Sequence, residues 1–262
     1  MKPASVLIAL QVLIFAVYSL VTVGFQENES VLLITGDVAF VLLAFNAALI
    51  AFIAFLNVPR AQERLGWLLT AVAFSSFAVG DFIWAYFELV KGVEVPVGSW
   101  PDVFWTVAYV VWAGALACCM MSMFFKSRVA VAGAIGVSFI ALVSFIFYAF
   151  KFAQGLGHGF EDIVNTSYIV YDIILLSGVS LLIGSLRSVK NPLVKVWFLF
   201  GSAVLVRVVF DFGFLALVAA DSYSTGNYVD LLYGASYVLL AFAAFQKVRV
   251  TEFLRGALWR SR

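Results

Sequence analysis

Gly80–Tyr109, GDFIWAYFELVKGVEVPVGSWPDVFWTVAY, sets two carboxylates, Asp81 and Glu88, in an apolar run, turns through Pro96–Pro101, and returns to apolar sequence at Asp102. Read as a pair of membrane helices joined at the outer surface, it buries Asp81 and brings the chain back through the bilayer. A shortened copy follows at Phe210–Tyr237, FDFGFLALVAADSYSTGNYVDLLYGASY. The copies register Asp81 with Asp211, Asp102 with Asp230, Trp105 with Tyr233, and Tyr109 with Tyr237. The register continues upstream, where Trp67 and Trp197 each stand fourteen residues before their aspartate. Five positions matched in order predict an internal repeat.

The rest of the chain agrees with a membrane setting. Its 262 residues are 64% hydrophobic and 12% charged, with a mean hydropathy of +1.06, whereas water-soluble domains are about half apolar and about a quarter charged. In lipid a spanning backbone must satisfy its own hydrogen bonds, and about 20 apolar residues make one helical crossing. The expected fold class is therefore all-α, a polytopic membrane protein. Eight spans are predicted, at about Met1–Phe25, Val31–Val58, Leu65–Leu89 and Asp102–Phe125, then Val129–Phe152, Ile163–Leu186, Val194–Ala219 and Tyr228–Gln246. The first carries no small-x-small cleavage signal and reads as a retained span.

Basic residues are retained on the cytoplasmic side. Lys2, Arg60, Arg64, Lys126, Arg128, Arg187, Lys190, Lys195 and the cations from Lys247 onward all fall in alternate connections, which is thirteen of the sixteen Lys and Arg. The predicted location is the cell membrane, multi-pass, with both termini cytoplasmic. Halves four spans apart keep the same orientation, so the repeat is parallel, with its axis along the membrane normal and sites expected where the halves meet. The expected organisation is a first four-helix repeat over residues 1–125, a second over 126–250, and a basic amphipathic tail over 251–262. That tail sets Arg255, Arg260 and Arg262 beside Phe253, Leu254 and Trp259, a composition suited to anionic lipid.

Depth gives the buried charges their meaning. At 1.5 Å per residue, Asp81 and Asp211 lie about 21 Å and Arg207 about 15 Å beyond Trp67 and Trp197, inside a ~30 Å core. An unpaired arginine there costs ~2.5–3.5 kcal/mol, so Arg207 is expected to face the bundle interior, with Asp211, Asp81 or Asp172 of span six as partner. Glu88 lies seven residues from Asp81 on the same helical face. It fits a cavity mouth or a solvated interface equally well. Asp102 and Asp230 begin inward-running helices after turn-rich loops, and capping of free backbone N–H groups explains both. Trp84, Trp100, Trp105, Trp112, Tyr109 and Tyr223, with Tyr228, Tyr233 and Tyr237, gather at the outer leaflet. An interfacial belt explains most of them, while Trp105, Tyr109, Tyr233 and Tyr237 are candidates for a pocket wall.

Several classes are not suggested. The net charge of +1 offers no field for nucleic acid. Cys118 and Cys119 are adjacent in an apolar run and read as small core residues; the single histidine, His158, reads as outer loop and builds no metal site. No phosphate-binding glycine loop, Ser-His-Asp set or HExxH is present, so neither cofactor nor enzymatic signature is expected.

Gly80-Asp81, Trp84, Glu88, Pro96, Ser99, Asp102-Val103-Phe104-Trp105 and Tyr109 resemble the signature of uncharacterised multi-helix membrane regions found ahead of diguanylate cyclase and histidine kinase modules. Asp211, Tyr223, Gly226, Asp230 and Tyr237 fit the same pattern. The resemblance implies a sensory role. A weaker similarity, through Gly80-Asp81 and Asp211, is to lysoplasmalogenase-like (YhhN-type) eight-span proteins, and implies Asp81 and Asp211 as an acid pair for lipid hydrolysis.

The leading expectation is a sensory or binding protein with an outward-facing cavity for a small amphiphile, a lipid headgroup or a proton. Asp81, Glu88, Asp172, Arg207 and Asp211 would line it, with Trp84, Trp105, Tyr109, Tyr233 and Tyr237 as aromatic walls. The alternatives are a secondary transporter or ion channel using the acidic cluster, and the aspartate-pair hydrolase. Expected partners are membrane lipids, a small molecule or ion, and a further membrane or cytoplasmic protein.

Overall fold

The computed structural model describes residues 3–95, 98–121, 160–186, 193–220 and 222–260. The described residues are all-α, with seven helices and no strand. These are α1 (Pro3–Gly24), α2 (Glu29–Asn57), α3 (Ala61–Ala85), α4 (Trp100–Met121), α5 (Phe160–Leu186), α6 (Leu193–Ala219) and α7 (Asp230–Arg260). Six are long and apolar enough to cross a membrane, and α5 carries a shorter apolar stretch, Ser167–Ile183. The chain is a membrane protein built from such helices. The expected span at Val129–Phe152 lies outside the described residues, as does His158.

Helix ends follow local chemistry. Asn28 caps α2, its Oδ1 accepting from Val31 N at 3.2 Å, which satisfies one of the amides a helix start leaves free. α3 ends differently. It passes into a π-helical turn, Tyr86–Lys91, and stops at Gly92, whose φ of 63° is the left-handed conformation that glycine adopts without a Cβ clash. α7 runs unbroken through residue 250 to Arg260, so residues 251–260 continue that helix.

Six helices form a closed circuit: α2 packs on α3, α3 on α4, α4 on α5, α5 on α6, α6 on α7, and α7 back on α2. α1 lies outside it against α2 and α7. Buried amides pin it there. Asn46 donates to Gln11 Oε1 at 2.6 Å and to Leu7 O at 2.9 Å, and Gln11 donates to Leu43 O at 3.2 Å. Such bonds hold well where no water competes for them.

α3 and α6 meet through side chains inside the circuit. Trp67 stacks on Trp197 at 6.1 Å, while Phe74 packs edge-on against Trp112 and Tyr237. Trp67, Trp112, Trp197, Phe74 and Phe200 are fully buried, and together fill the centre with an aromatic layer. Trp112 therefore belongs to the core and not to an interfacial belt, because its ring is needed to close the space between α3, α4 and α6. Trp100 and Tyr228 are exposed, as a belt requires.

The two ends of the bundle differ. At one end Lys247 Nζ lies 2.5 Å from Glu63 Oε1, both buried, and Arg255 donates to Asn57 O at 2.8 Å. Cys119 is buried there, against Gly66, whose lack of a side chain admits the sulfur. The opposite end holds Glu88, the loops preceding α4 and α7, and a cavity.

Candidate functional site

α4 and α7 start in the same way. Asp102 Oδ2 accepts from Gly98 N at 2.9 Å and from Ser99 N at 3.1 Å, and Asp230 Oδ2 accepts from Gly226 N at 2.8 Å. Gly98 and Gly226 both have positive φ, 81° and 94°, so each loop folds back onto its aspartate. A Cβ on Gly226 would fall 2.5 Å from Leu32 Cβ, so the loop also needs glycine to lie on α2. The other oxygen of each aspartate takes a phenol: Tyr168 donates to Asp102 Oδ1 at 2.6 Å and Tyr223 to Asp230 Oδ1 at 3.1 Å. Burial and the Asp230 carboxylate push the Tyr223 phenol well above its usual range, which keeps it a donor. Asp102 and Asp230 were expected to cap the free N–H groups of their own helices; the amides they accept from belong instead to the preceding loops.

These loops roof a cavity of about 680 Å³ bounded by α2, α3, α4, α5, α6 and α7. Asp81 stands in its wall with three donors. Trp105 Nε1 approaches Oδ1 at 2.9 Å, Tyr233 OH donates to Oδ1 at 2.7 Å, and Tyr237 OH donates to Oδ2 at 2.8 Å. Gly80 makes room for the indole, since a Cβ there would lie 2.5 Å from Trp105 Nε1. Asp211 accepts from Tyr109 OH and faces Asp172 of α5.

Arg207 is buried at the cavity floor and, among the described residues, lacks the carboxylate ion pair its spacing suggests. Its guanidinium carbon lies 3.8 Å from the Tyr233 ring centre, 4.6 Å from Phe77, 4.8 Å from Tyr237 and 6.0 Å from Phe210. Cation–π attraction of this kind holds a desolvated cation by ~2 kcal/mol or more. The physical reason is competition: phenols and an indole have already claimed Asp81 and Asp211. Arg207 Nε and Nη2 consequently have no hydrogen-bond partner among the described residues.

Toward the mouth, Glu88 accepts from Thr225 Oγ1 at 2.9 Å and bonds Trp84, whose ring lies 5.5 Å from Trp105. The π-helical turn begins two residues before Glu88 and directs that part of α3.

Of the ten residues expected at the site, Asp81, Trp84, Glu88, Trp105, Tyr109 and Tyr233 line the cavity, as do Arg207 and Asp211. Asp172 and Tyr237 stand behind its wall, each one contact away, because Asp211 and Tyr233 are interposed. Asp37 of α2 was not expected and lines the cavity, buried, facing Glu88. Its signal was an acid in an apolar span. Tyr168, Thr225 and Asp230 also reach it. The paired Gly-x-x-x-Asp spacing before α4 and α7 marked the roof in the sequence as well.

Compared with protein-family models, curated proteins and solved structures, the chain finds no match in any of the three.

Proposed function

We propose that this is an integral membrane binding or sensory protein whose cavity takes a small amphiphile, a lipid headgroup or a proton from the outer leaflet. The observation that carries this is Arg207, a buried guanidinium with two free donors at the floor of a cavity. Leaving such donors unpaired costs ~1–3 kcal/mol or more, a cost a ligand or ordered water offsets. The aromatic layer beneath Arg207 favours binding over conduction, because Phe77, Phe74 and Trp112 close the centre below the floor.

The wider architecture belongs to the same proposal: eight spans in two parallel four-helix repeats, in the cell membrane, with both termini cytoplasmic. Lys247, Arg60, Arg64 and Arg255 gather at the end opposite the cavity, which supports an outward mouth under the positive-inside rule. The exchange of donors supports the repeat, since Tyr109 serves Asp211 while its registered counterpart Tyr237 serves Asp81. A change at the cavity would pass to a partner protein through the basic face. A secondary transporter is the second reading, favoured by the π-helical interruption at Glu88 in a helix that otherwise spans.

Native mass spectrometry from mild detergent tests the binding reading. A small molecule retained at unit stoichiometry, and lost in Arg207→Gln, is the expected result. A bare chain that drives proton- or cation-dependent uptake in liposomes would overturn it in favour of transport.

A further inference from the structure

Two ionic side chains lining the cavity keep buried atoms without a hydrogen-bond partner among the described residues: Arg207, through Nε and Nη2, and Asp37, through Oδ2. Both residues are at least 98% buried. The other buried acids there are served. Asp81 has three side-chain donors, Asp211 has Tyr109, and Asp230 has a backbone amide and a phenol.

The orphaned atoms have specific shapes. Nε and Nη2 form one edge of the guanidinium, two parallel donors that match the two oxygens of a carboxylate or phosphate. Asp37 shares a side-chain hydrogen bond with Glu88 and still leaves Oδ2 without a partner among the described residues, an acceptor that an ammonium would satisfy. The cavity thus combines an unmet anion-binding edge with an unmet carboxylate oxygen.

Building on the binding reading above, we infer that the ligand is a zwitterion, its acid group on the free edge of Arg207 and its ammonium on Asp37 Oδ2. Such a ligand adds no net charge to a site whose carboxylates already outnumber its one guanidinium. The same chemistry occurs in a membrane amphiphile's headgroup and in a free amino acid.

The test compares probes on the full chain in dodecyl maltoside micelles, followed by the fluorescence of Trp84 and Trp105 in the cavity wall. N-Dodecyl-β-alanine carries both charges, dodecylamine only the cation, and dodecanoate only the anion. The zwitterion is expected to bind saturably, one per chain, about tenfold or more tighter than either single-charge probe. Asp37→Asn should shift the preference to dodecanoate, and Arg207→Gln should shift it to dodecylamine. Should Arg207→Gln fail to fold, the Asp37→Asn shift decides alone. Free β-alanine that competes equally well would make the source a soluble zwitterion, and competition by the tailed probe only would make it a membrane amphiphile. A single-charge probe that binds as tightly as the zwitterion overturns the charge-pair inference and leaves the cavity reading standing. Absence of saturable binding by all the probes overturns both.

Discussion

Asp81 and Asp211 occupy registered positions in two similar stretches, yet their surroundings differ. Asp81 collects an indole and two phenols, whereas Asp211 has one phenol and the neighbouring carboxyl of Asp172. The residues just before them account for this. Gly80 lets Trp105 lie against α3, while the registered position carries Phe210, which packs on Tyr233 at 4.6 Å. Held by that ring, Tyr233 points its hydroxyl at Asp81. Four residues before each aspartate stand Phe77 and Arg207, and these two touch at 4.6 Å. Two similar stretches of sequence thus end in one carboxylate with three donors and one with a single phenol, the latter beside a cation that no carboxylate holds.

The comparison breaks most sharply at Gly80. Gly80→Leu puts a side chain where the indole now sits and should cost ~3 kcal/mol or more through overpacking and loss of the Asp81 bond. Phe210→Leu, at the registered position, should cost about 1 kcal/mol. Thermal unfolding in detergent measures both, and equal losses would remove the distinction. Next in size are the aspartates themselves. Asp81→Ala strands three donors and should cost about 2–3 kcal/mol, against about 1 kcal/mol for Asp211→Ala, at ~0.6–1 kcal/mol per buried bond. A larger loss at Asp211 would mean that Asp172 and Arg207 lean on it more than the hydrogen bonds indicate. The smallest contrast is between phenols. Tyr109→Phe removes the phenol bonded to Asp211 and should cost ~1 kcal/mol, while Tyr237→Phe leaves Asp81 two donors and should cost ~0.5 kcal/mol. A double-mutant cycle with each aspartate resolves whether those figures belong to the named bonds.

Much of the frame was legible because bilayer thickness constrains it. Runs such as Val31–Val58 and Val194–Ala219 appear as helices Glu29–Asn57 and Leu193–Ala219, since only a helix satisfies its backbone in lipid. The meeting of Asp81, Arg207 and Asp211 around one cavity followed from the cost of burying charge. Which groups would pair did not follow. Spacing placed Arg207 and Asp211 on one face, but ring positions set by Gly80 and Phe210 decided who reached each carboxylate. Asp37 illustrates the same limit: its acidity was plain, and its cavity position depended on how α2 packs on α7. The π-helical turn at Tyr86–Lys91 lacks an internal glycine or proline that would announce it.

α7 bears on how such a molecule could work. It is a single helix of 31 residues, about 46 Å long at 1.5 Å per residue. Tyr233 and Tyr237 near its start hold Asp81, and Lys247 farther along closes on Glu63 at the base of α3. α3 and α7 are therefore latched at two levels, like rails joined by two rungs. Loosening the upper rung leaves the lower as a pivot, so a small swing at the cavity would be felt beyond it by Arg255 and the turns that follow.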